Sequence, residues 1–472
     1  MAFRSVDFSL MRTKVRYFVK CYTYNQRCGI SSALFMTGDQ AKNNFSFISP
    51  VLDFDSKFQN ISLLEKNVQL RGIPVNVHSL KRMWDFQEGI RATKKKIEEK
   101  RLEITKSIKE LQKSESPEVI SEIEKLKLLS QKVRQELKVV AAALWDLEGK
   151  VVPKFLSIPN VLHERTPEEK EELIHSFMDP PRKIQELSHI DIGNSLGVLK
   201  CIGPLCCYLK NEAVKFEMES IKFFVERLKD CRYVQFSNPD FVKSIVVEGT
   251  GLDQEDPFAS FILGRDASDD LDEQNPNRLH LVGGASIAPF CSYFSKQLTV
   301  HPLPIKLFTI GRQYNSYPIQ TKGSLLHSCQ ASAVQFFVGL QNCAVSETSF
   351  FDQMLAFLVS AYQDFGYHFR VVYVPAEKLA SWESLKASIQ MYSSYLQSYI
   401  EVGNVSVCED YISKRLLMYH DVPGVGADFF RIVTGTVISI PEVLACVLED
   451  PSNHKYGKLF LPPHLDNLFQ MD

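Results

Sequence analysis

The stretch MWDFQEGIRATKKKIEEKRLEITKSIKEL, residues 83–111, carries an apolar residue at every seventh position: Met83, Ile90, Ile97, Ile104 and Leu111. A seven-residue apolar repeat leaves one narrow stripe on a helix, and a second helix is needed to bury it. That second helix follows at once. Beyond Ser114-Glu115-Ser116-Pro117, the spacing returns at Val119, Leu126, Val133, Val140 and Leu147, with Ile123, Leu137 and Leu144 filling most of the seam. Two heptad runs joined by a short polar turn predict an antiparallel coiled coil over about 76–152. The first helix is crowded with cations: Arg91, Lys94, Lys95, Lys96, Lys100, Arg101, Lys106 and Lys109, interleaved with Glu98, Glu99, Glu103 and Glu110. Two readings of this face stand: solvated pairs flanking the seam, or contacts to a phosphate backbone.

Around this arm the chain divides by composition. Its 472 residues exceed what one compact core holds, so two or three domains are expected. With 45% apolar and 23% charged residues the composition is that of an ordinary globular protein. A net charge of −2 gives no general attraction to nucleic acid or acidic membranes, so such binding must come from a local patch. No run of about 18 apolar residues suggests a membrane span. The eleven cysteines are scattered and no C-x-x-C pair occurs. Reduced thiols are therefore expected, rather than a disulfide framework or a structural zinc site.

Residues 1–45 read as a leader. Arg4, Arg12, Lys14, Arg16, Lys20 and Arg27 face a single acid, Asp7, before Asp39. Arginine, serine and apolar residues with almost no acid describe a mitochondrial transit peptide, and matrix localisation follows. The expected divisions are then an N-terminal domain with the coiled-coil arm over 46–153, a linker over 154–184 opened by Pro153, and a core domain over 185–472. In that core, strand-like runs at 307–311, 334–340 and 369–375 alternate with amphipathic helices near 211–229 and 346–364, predicting an α+β domain.

Near the end of the chain stands VTGTVISIPEVLACVLED, residues 433–450. A small-residue strand turns at Pro441 into a helix with one acid, Glu442, at its mouth. Ser439 and Glu442 have the S-x-x-E spacing of a capping box, in which serine and glutamate satisfy orphan amides.

The order of these features carries a resemblance. The basic helical arm, SIPNVLH (157–163), NPDFVKSIVVEGTG (238–251), PLPIKLF (302–308) and YGKLFLPPHLDNL (456–468) resemble the seryl-tRNA synthetase family, and within it the catalytically degenerate mitochondrial paralogues rather than the true enzymes. The resemblance implies a class II core: a mostly antiparallel sheet flanked by helices, dimerising through motif 1, where Pro239 matches the family proline. It also implies what the site has lost. Activating serine on ATP needs forked cationic donors on the phosphates and acids for the metal and the amine. The family's Thr-x-Glu serine loop falls on Gly284-Ala285-Ser286. Motif 2, F-R-x-E, falls on Tyr314-Asn315-Ser316-Tyr317, so Asn315 and Tyr317 replace arginine and glutamate. A one-residue slip does not rescue it, and the nearby Arg312 is followed by Gln313 and Tyr314, again without the acid; the motif's later arginine and histidine fall near Gln330 and Ser332.

In motif 3, Thr434 stands for the family asparagine and Glu442 for the arginine. Losing that arginine removes a charged hydrogen bond of about 1.5–3 kcal/mol, and each lost transition-state donor costs roughly a hundred- to a thousand-fold. In the segment 401–416, Glu401, Ser406, Asp410 and Arg415 match the family, as structural survivors, while Val407 replaces a serine-contacting asparagine. No metal spacing or paired nucleophile surrounds His280, His301, His327 or His420, and no cofactor is expected. The implied function is a catalytically inactive paralogue acting through binding: dimer formation, with the true mitochondrial seryl-tRNA synthetase or with itself, and RNA or tRNA binding. A divergent ATP-dependent ligase remains an alternative, with Arg312, Lys322, Arg415 and Arg431 as its visible cations. So does a purely structural scaffold.

Overall fold

The computed structural model describes residues 32–35, 48, 50–112, 117–181, 184–202, 206–253, 260–263, 278–315, 324–422, 424, 426–455, 458, 459 and 462. Most of the leader, the arm's turn, Lys322, Tyr317 and most of 456–468 lie outside them. Two compact units emerge.

The first unit contains Asp53–Glu65 and Val75–Ile158. Its long helices, α1 (Val77–Leu111) and α2 (Pro117–Leu156), form the coiled-coil hairpin. The Asn76 side chain caps α1 by accepting from the Ser79 amide at 2.8 Å. Met83, Ile90, Ile97 and Ile104 are buried along one seam, and Val133, Val140, Leu144 and Leu147 along the other. Between the helices Arg91 meets Glu148 at 2.8 Å. Where the stripe ends, Phe54, Phe58, Trp84 and Phe155 form an aromatic cluster, and the Trp84 indole donates to Asp55 at 2.7 Å. Pro153, expected to break α2, sits inside it. Only the last turn lies beyond the proline, so a single amide is lost, and burial of Phe155 and Leu156 holds that turn in place.

The second unit contains Lys66–Pro74 and the chain from Pro159 onward. An eight-stranded sheet organises it, built from β1 (Glu172–Phe177), β2 (Val234–Gln235), β3 (Ile305–Tyr314), β4 (Gln330–Leu340), β5 (Phe369–Tyr373), β6 (Leu385–Ser393), β7 (Ser398–Glu409) and β8 (Arg431–Ser439). The spatial order is β1-β5-β6-β7-β8-β4-β3-β2, antiparallel throughout except for the edge pair β2–β3. Helices α3 (Glu212–Asp230), α4 (Ala344–Phe365) and α5 (Ile440–Glu449) share one core with Val334, Phe336, Val338, Val405 and Val407 from the sheet. The short helix Ile287–Phe294 packs elsewhere, stacking Phe290 and Phe294 on Phe337 at 5.4 Å each.

Two expectations need correction here. The segment 154–184 is not simply a linker, because its residues Glu172–Phe177 form the edge strand β1 and pair with β5. The thiols are not all reduced: Cys201 and Cys207 face each other across the hairpin Leu199–Ile202/Cys206–Leu209 and form a disulfide. Only strand pairing reveals that partnership, since neither spacing nor composition marks it. Cys291, Cys329, Cys408 and Cys446 are buried free thiols, while Cys231 and Cys343 are exposed.

Candidate functional site

Side chains alternate between the two faces of a strand, and that alternation sorts the candidate residues. Gln313, Gln335, Thr434 and Thr436 meet on the sheet face beside the Gly284-Ala285-Ser286 loop. A directed chain of hydrogen bonds joins them. Gln313 Nε2 donates to the Ala285 carbonyl at 2.7 Å and to Thr436 Oγ1 at 3.0 Å. Thr436 donates to Gln335 Oε1 at 2.9 Å, Gln335 Nε2 to Thr434 at 3.1 Å, and Thr434 to the Phe336 carbonyl at 2.7 Å. Both threonine hydroxyl protons are used inside the network, which carries no formal charge.

The loop closes on the same face. Asp240 accepts from the Gly284 amide at 2.7 Å, Asn238 donates to the Gly284 carbonyl at 3.0 Å, and Ser286 donates to the Gly283 carbonyl at 2.8 Å. Gly283 has φ +90°, and a Cβ there would stand 2.1 Å from the Arg312 carbonyl oxygen, so only glycine fits this approach. Ser286 is thus tied to its own loop. Pro239, between Asn238 and Asp240, is exposed.

Asn404 extends the network toward β6. It accepts from the Thr436 amide at 3.2 Å and donates to Glu401 at 2.8 Å; Glu401 also meets Lys386 at 2.9 Å and accepts from Ser388 at 2.7 Å. Burial alone would raise the Glu401 carboxyl, but Lys386 and these donors hold it below the usual carboxylate range. Ser406 donates to Glu383 at 2.7 Å, deep in the unit.

Several sequence expectations shift. Asn315 lies past the end of β3 and is exposed, its amide bonded to the Cys329 carbonyl at 3.0 Å. Gln313, two residues earlier, is the residue on the shared face. Val407 belongs to the hydrophobic core, paired with Val433 and Leu385, not to the polar face. Glu442 is hydrogen-bonded to Ser439 as a partner, but the Ser439 hydroxyl donates to the carboxylate and makes no bond to a helix amide, so no reciprocal capping box forms. Burial raises the Glu442 carboxyl, and the nearby Glu401 adds to the effect.

Three of the four candidate cations lie among the described residues. Arg312 points to the other side of β3, bonded to Ser332 with Glu217 3.8 Å away. Arg415 is buried against the Tyr411 ring at 3.8 Å. Arg431 meets Glu347 at 2.7 Å and Glu409 at 3.6 Å. On the arm, Arg91 is held by Glu88 and Glu148, and Lys94 lies 3.9 Å from Glu98. Lys95, Lys96, Arg101, Lys106 and Lys109 are exposed, and Lys100 is half-buried.

Sequence reading missed one buried constellation. Ser324, His189 and Glu449 stand in line, with Ser324 Oγ 3.2 Å from His189 Nε2 and His189 Nδ1 2.8 Å from Glu449. The order is that of a nucleophile, base and acid, but the bonding is structural. His189 Nε2 also accepts the Leu325 amide at 3.1 Å, Ser324 Oγ accepts the Leu326 amide, and Glu449 receives Ser393 and the Tyr395 amide. The cluster locks four chain segments together. Among the described residues no group of three or more His, Cys, Asp and Glu side chains could hold a metal ion, and no helix is long and apolar enough to cross a membrane.

Comparison with known proteins places this fold. No family profile matches the chain. The Serine--tRNA synthetase-like protein Slimp of Drosophila melanogaster is 28% identical over 440 residues, covering 91% of both chains. The mitochondrial serine--tRNA ligase of Mus musculus is 21% identical, covering 90% of this chain and 84% of that protein. Among solved structures, the seryl-tRNA synthetase of Pyrococcus horikoshii, crystallised with ATP, superposes with a TM-score of 0.73 at 17% identity, covering 88% of this chain and 97% of the other. Along most of its length, then, the chain is similar to the seryl-tRNA synthetases and to a synthetase-like protein, and it has their class II fold.

Proposed function

We propose that the protein is a catalytically silent seryl-tRNA synthetase paralogue of the mitochondrial matrix that works by binding rather than by aminoacylation. The observation that carries this reading is the uncharged chain Gln313–Thr436–Gln335–Thr434 on the face where an adenylate-forming site needs cations. Phosphate activation depends on preorganised positive groups, and amides and hydroxyls already bonded to one another supply none. Arg415 and Arg431 are committed to other partners and Arg312 points to the opposite face of β3, which also weighs against a divergent ligase.

The retained parts suit binding. The arm presents exposed lysines and arginines suited to an RNA backbone, and the motif 1 region exposes Pro239 between the exposed Val234 and Phe241. A class II dimer through that region, with the true mitochondrial seryl-tRNA synthetase or with a second copy, follows from the resemblance. The basic leader over 1–45, the arm domain over 46–153 and the core over 185–472 divide these tasks.

ATP–pyrophosphate exchange with a panel of amino acids tests the silence directly: background rates are expected, and robust exchange with any of them would overturn it. Crosslinking with sequencing in isolated mitochondria tests the RNA arm of the proposal. Affinity purification at endogenous levels tests pairing, since recovery of self-pairs alone removes the heterodimer.

A further inference from the structure

On the side of β3 opposite the polar network lies a cleft of about 370 Å³, within the range of small-ligand sites. Its polar wall is Arg312, Glu217 and Ser332. The Ser332 hydroxyl donates to Glu217 and accepts from Arg312, which fixes guanidinium and carboxylate 3.8 Å apart. Only one edge of each is used: Arg312 bonds through Nη1 and Glu217 through Oε1, leaving Nε, Nη2 and Oε2 without a partner among the described residues. The facing wall is aliphatic, formed by Leu209, Val214, Leu325, Ile440 and Leu444.

We infer that this cleft binds a zwitterionic α-amino acid with a large apolar side chain. Arg312 offers its free forked edge to the carboxylate, Glu217 its free oxygen to the ammonium, and the aliphatic wall takes the side chain. A singly charged ligand fits poorly, because an anion meets Glu217 and a cation meets Arg312; a zwitterion satisfies both and leaves the cleft neutral. The site is distinct from the polar network, since Arg312 and Gln313 are neighbours on one strand and point to opposite faces. The inference is independent of whether the other face is silent.

Isothermal titration of the full chain with L-phenylalanine and L-leucine tests it. Saturable binding with a Kd of about a millimolar or tighter is expected. N-acetyl-leucine, which lacks the ammonium, leucinamide, which lacks the carboxylate, and serine, which lacks the apolar side chain, should each bind at least about tenfold more weakly. Arg312→Gln and Glu217→Gln should each weaken phenylalanine binding by a similar factor, with unchanged thermal midpoints showing that the fold is intact. Should a variant fail to fold, the analogue series on the unmodified protein decides alone. No saturable binding of either amino acid, or equal binding of leucine and its blocked forms, overturns the proposal.

Discussion

Glu442 shows how a local pattern and a site can be confused at the scale of one residue. Its spacing from Ser439 suggests a capping box, yet the structure gives a half-formed version in which serine donates to a buried carboxylate. If the face is silent as proposed, an arginine at position 442 does not make it competent, because Gln313, Gln335 and Thr434 still carry no charge to meet a phosphate. Glu442→Arg alone is expected to leave ATP–pyrophosphate exchange at background, and a measurable rate in that assay would mean that the polar face is nearer to competence than its bonding suggests. His280 carries a second residue-scale prediction. Both its nitrogens are engaged by serines, Ser244 at 2.8 Å and Ser260 at 2.9 Å, and burial, with Arg278 nearby, pushes it down to about 4. The unfolded chain therefore binds a proton near its ordinary value of 6.5 while the folded one resists until about pH 4. Between those limits the unfolded state holds more protons, so stability falls as the pH falls, by about 2–3 kcal/mol across the window. Urea titrations at pH 7, 5.5 and 4.5 should show this loss in the natural protein and a shallower one in His280→Gln; parallel curves would remove His280 as the cause.

At the scale of elements, what could be read from the sequence depended on whether burial leaves a period. The heptads of 83–111 do, because one stripe of the helix is in a core, while LFTIG, VQFFVGL and FRVVYVP are legible only as short apolar runs, and 334–340 is buried throughout. Helices α3 and α4 lie within two residues of the amphipathic stretches that announce them. Strand β1 escaped because it is an edge: Leu173 is 61% exposed, so its apolar residues do not alternate with burial. That Gln313 lies on the polar face escaped for another reason. The pairing of Arg312 with Ser332 and Tyr314 with Gln330 sets Gln313 on the polar face, and pairing partners cannot be read along the chain. The Ser324–His189–Glu449 lock spans 260 positions and has no sequence period at all. For the arm, the seam makes a quantitative prediction. Ile97 is 8% exposed and Ile104 6%, in a two-helix hairpin with little other core. Ile97→Ala should cost about 2–4 kcal/mol, read as faster amide exchange along α1 and α2 with protection in the eight-stranded sheet unchanged. Uniform loss of protection across the sheet as well would show that the two units do not open separately.

For the molecule as a whole, electrostatics decides whether the arm is a nucleic-acid surface or a solvated coil. A net charge of −2 means that no long-range field draws RNA to the protein, so binding has to come from a patch. Within α1, ten basic side chains stand against six acidic ones. The structure divides them further. Arg91 and Lys94 are spent on Glu148, Glu88 and Glu98, whereas Lys95, Lys96, Arg101, Lys106 and Lys109 are exposed. Phosphate contacts by those five release counterions, at roughly 0.7–0.9 per contact in the slope of log K against log salt. Replacing all five with glutamine should therefore make the slope for a tRNA-sized RNA shallower by at least about 2, and weaken binding most at low salt. Arg91→Gln should act differently, lowering the stability of the hairpin through loss of the Glu148 pair while leaving the salt slope nearly unchanged. Fluorescence anisotropy from 50 to 300 mM salt measures both. If the five-site variant keeps the slope of the natural protein, the exposed cations are solvent-facing partners of the coil, and RNA, where bound, is held elsewhere.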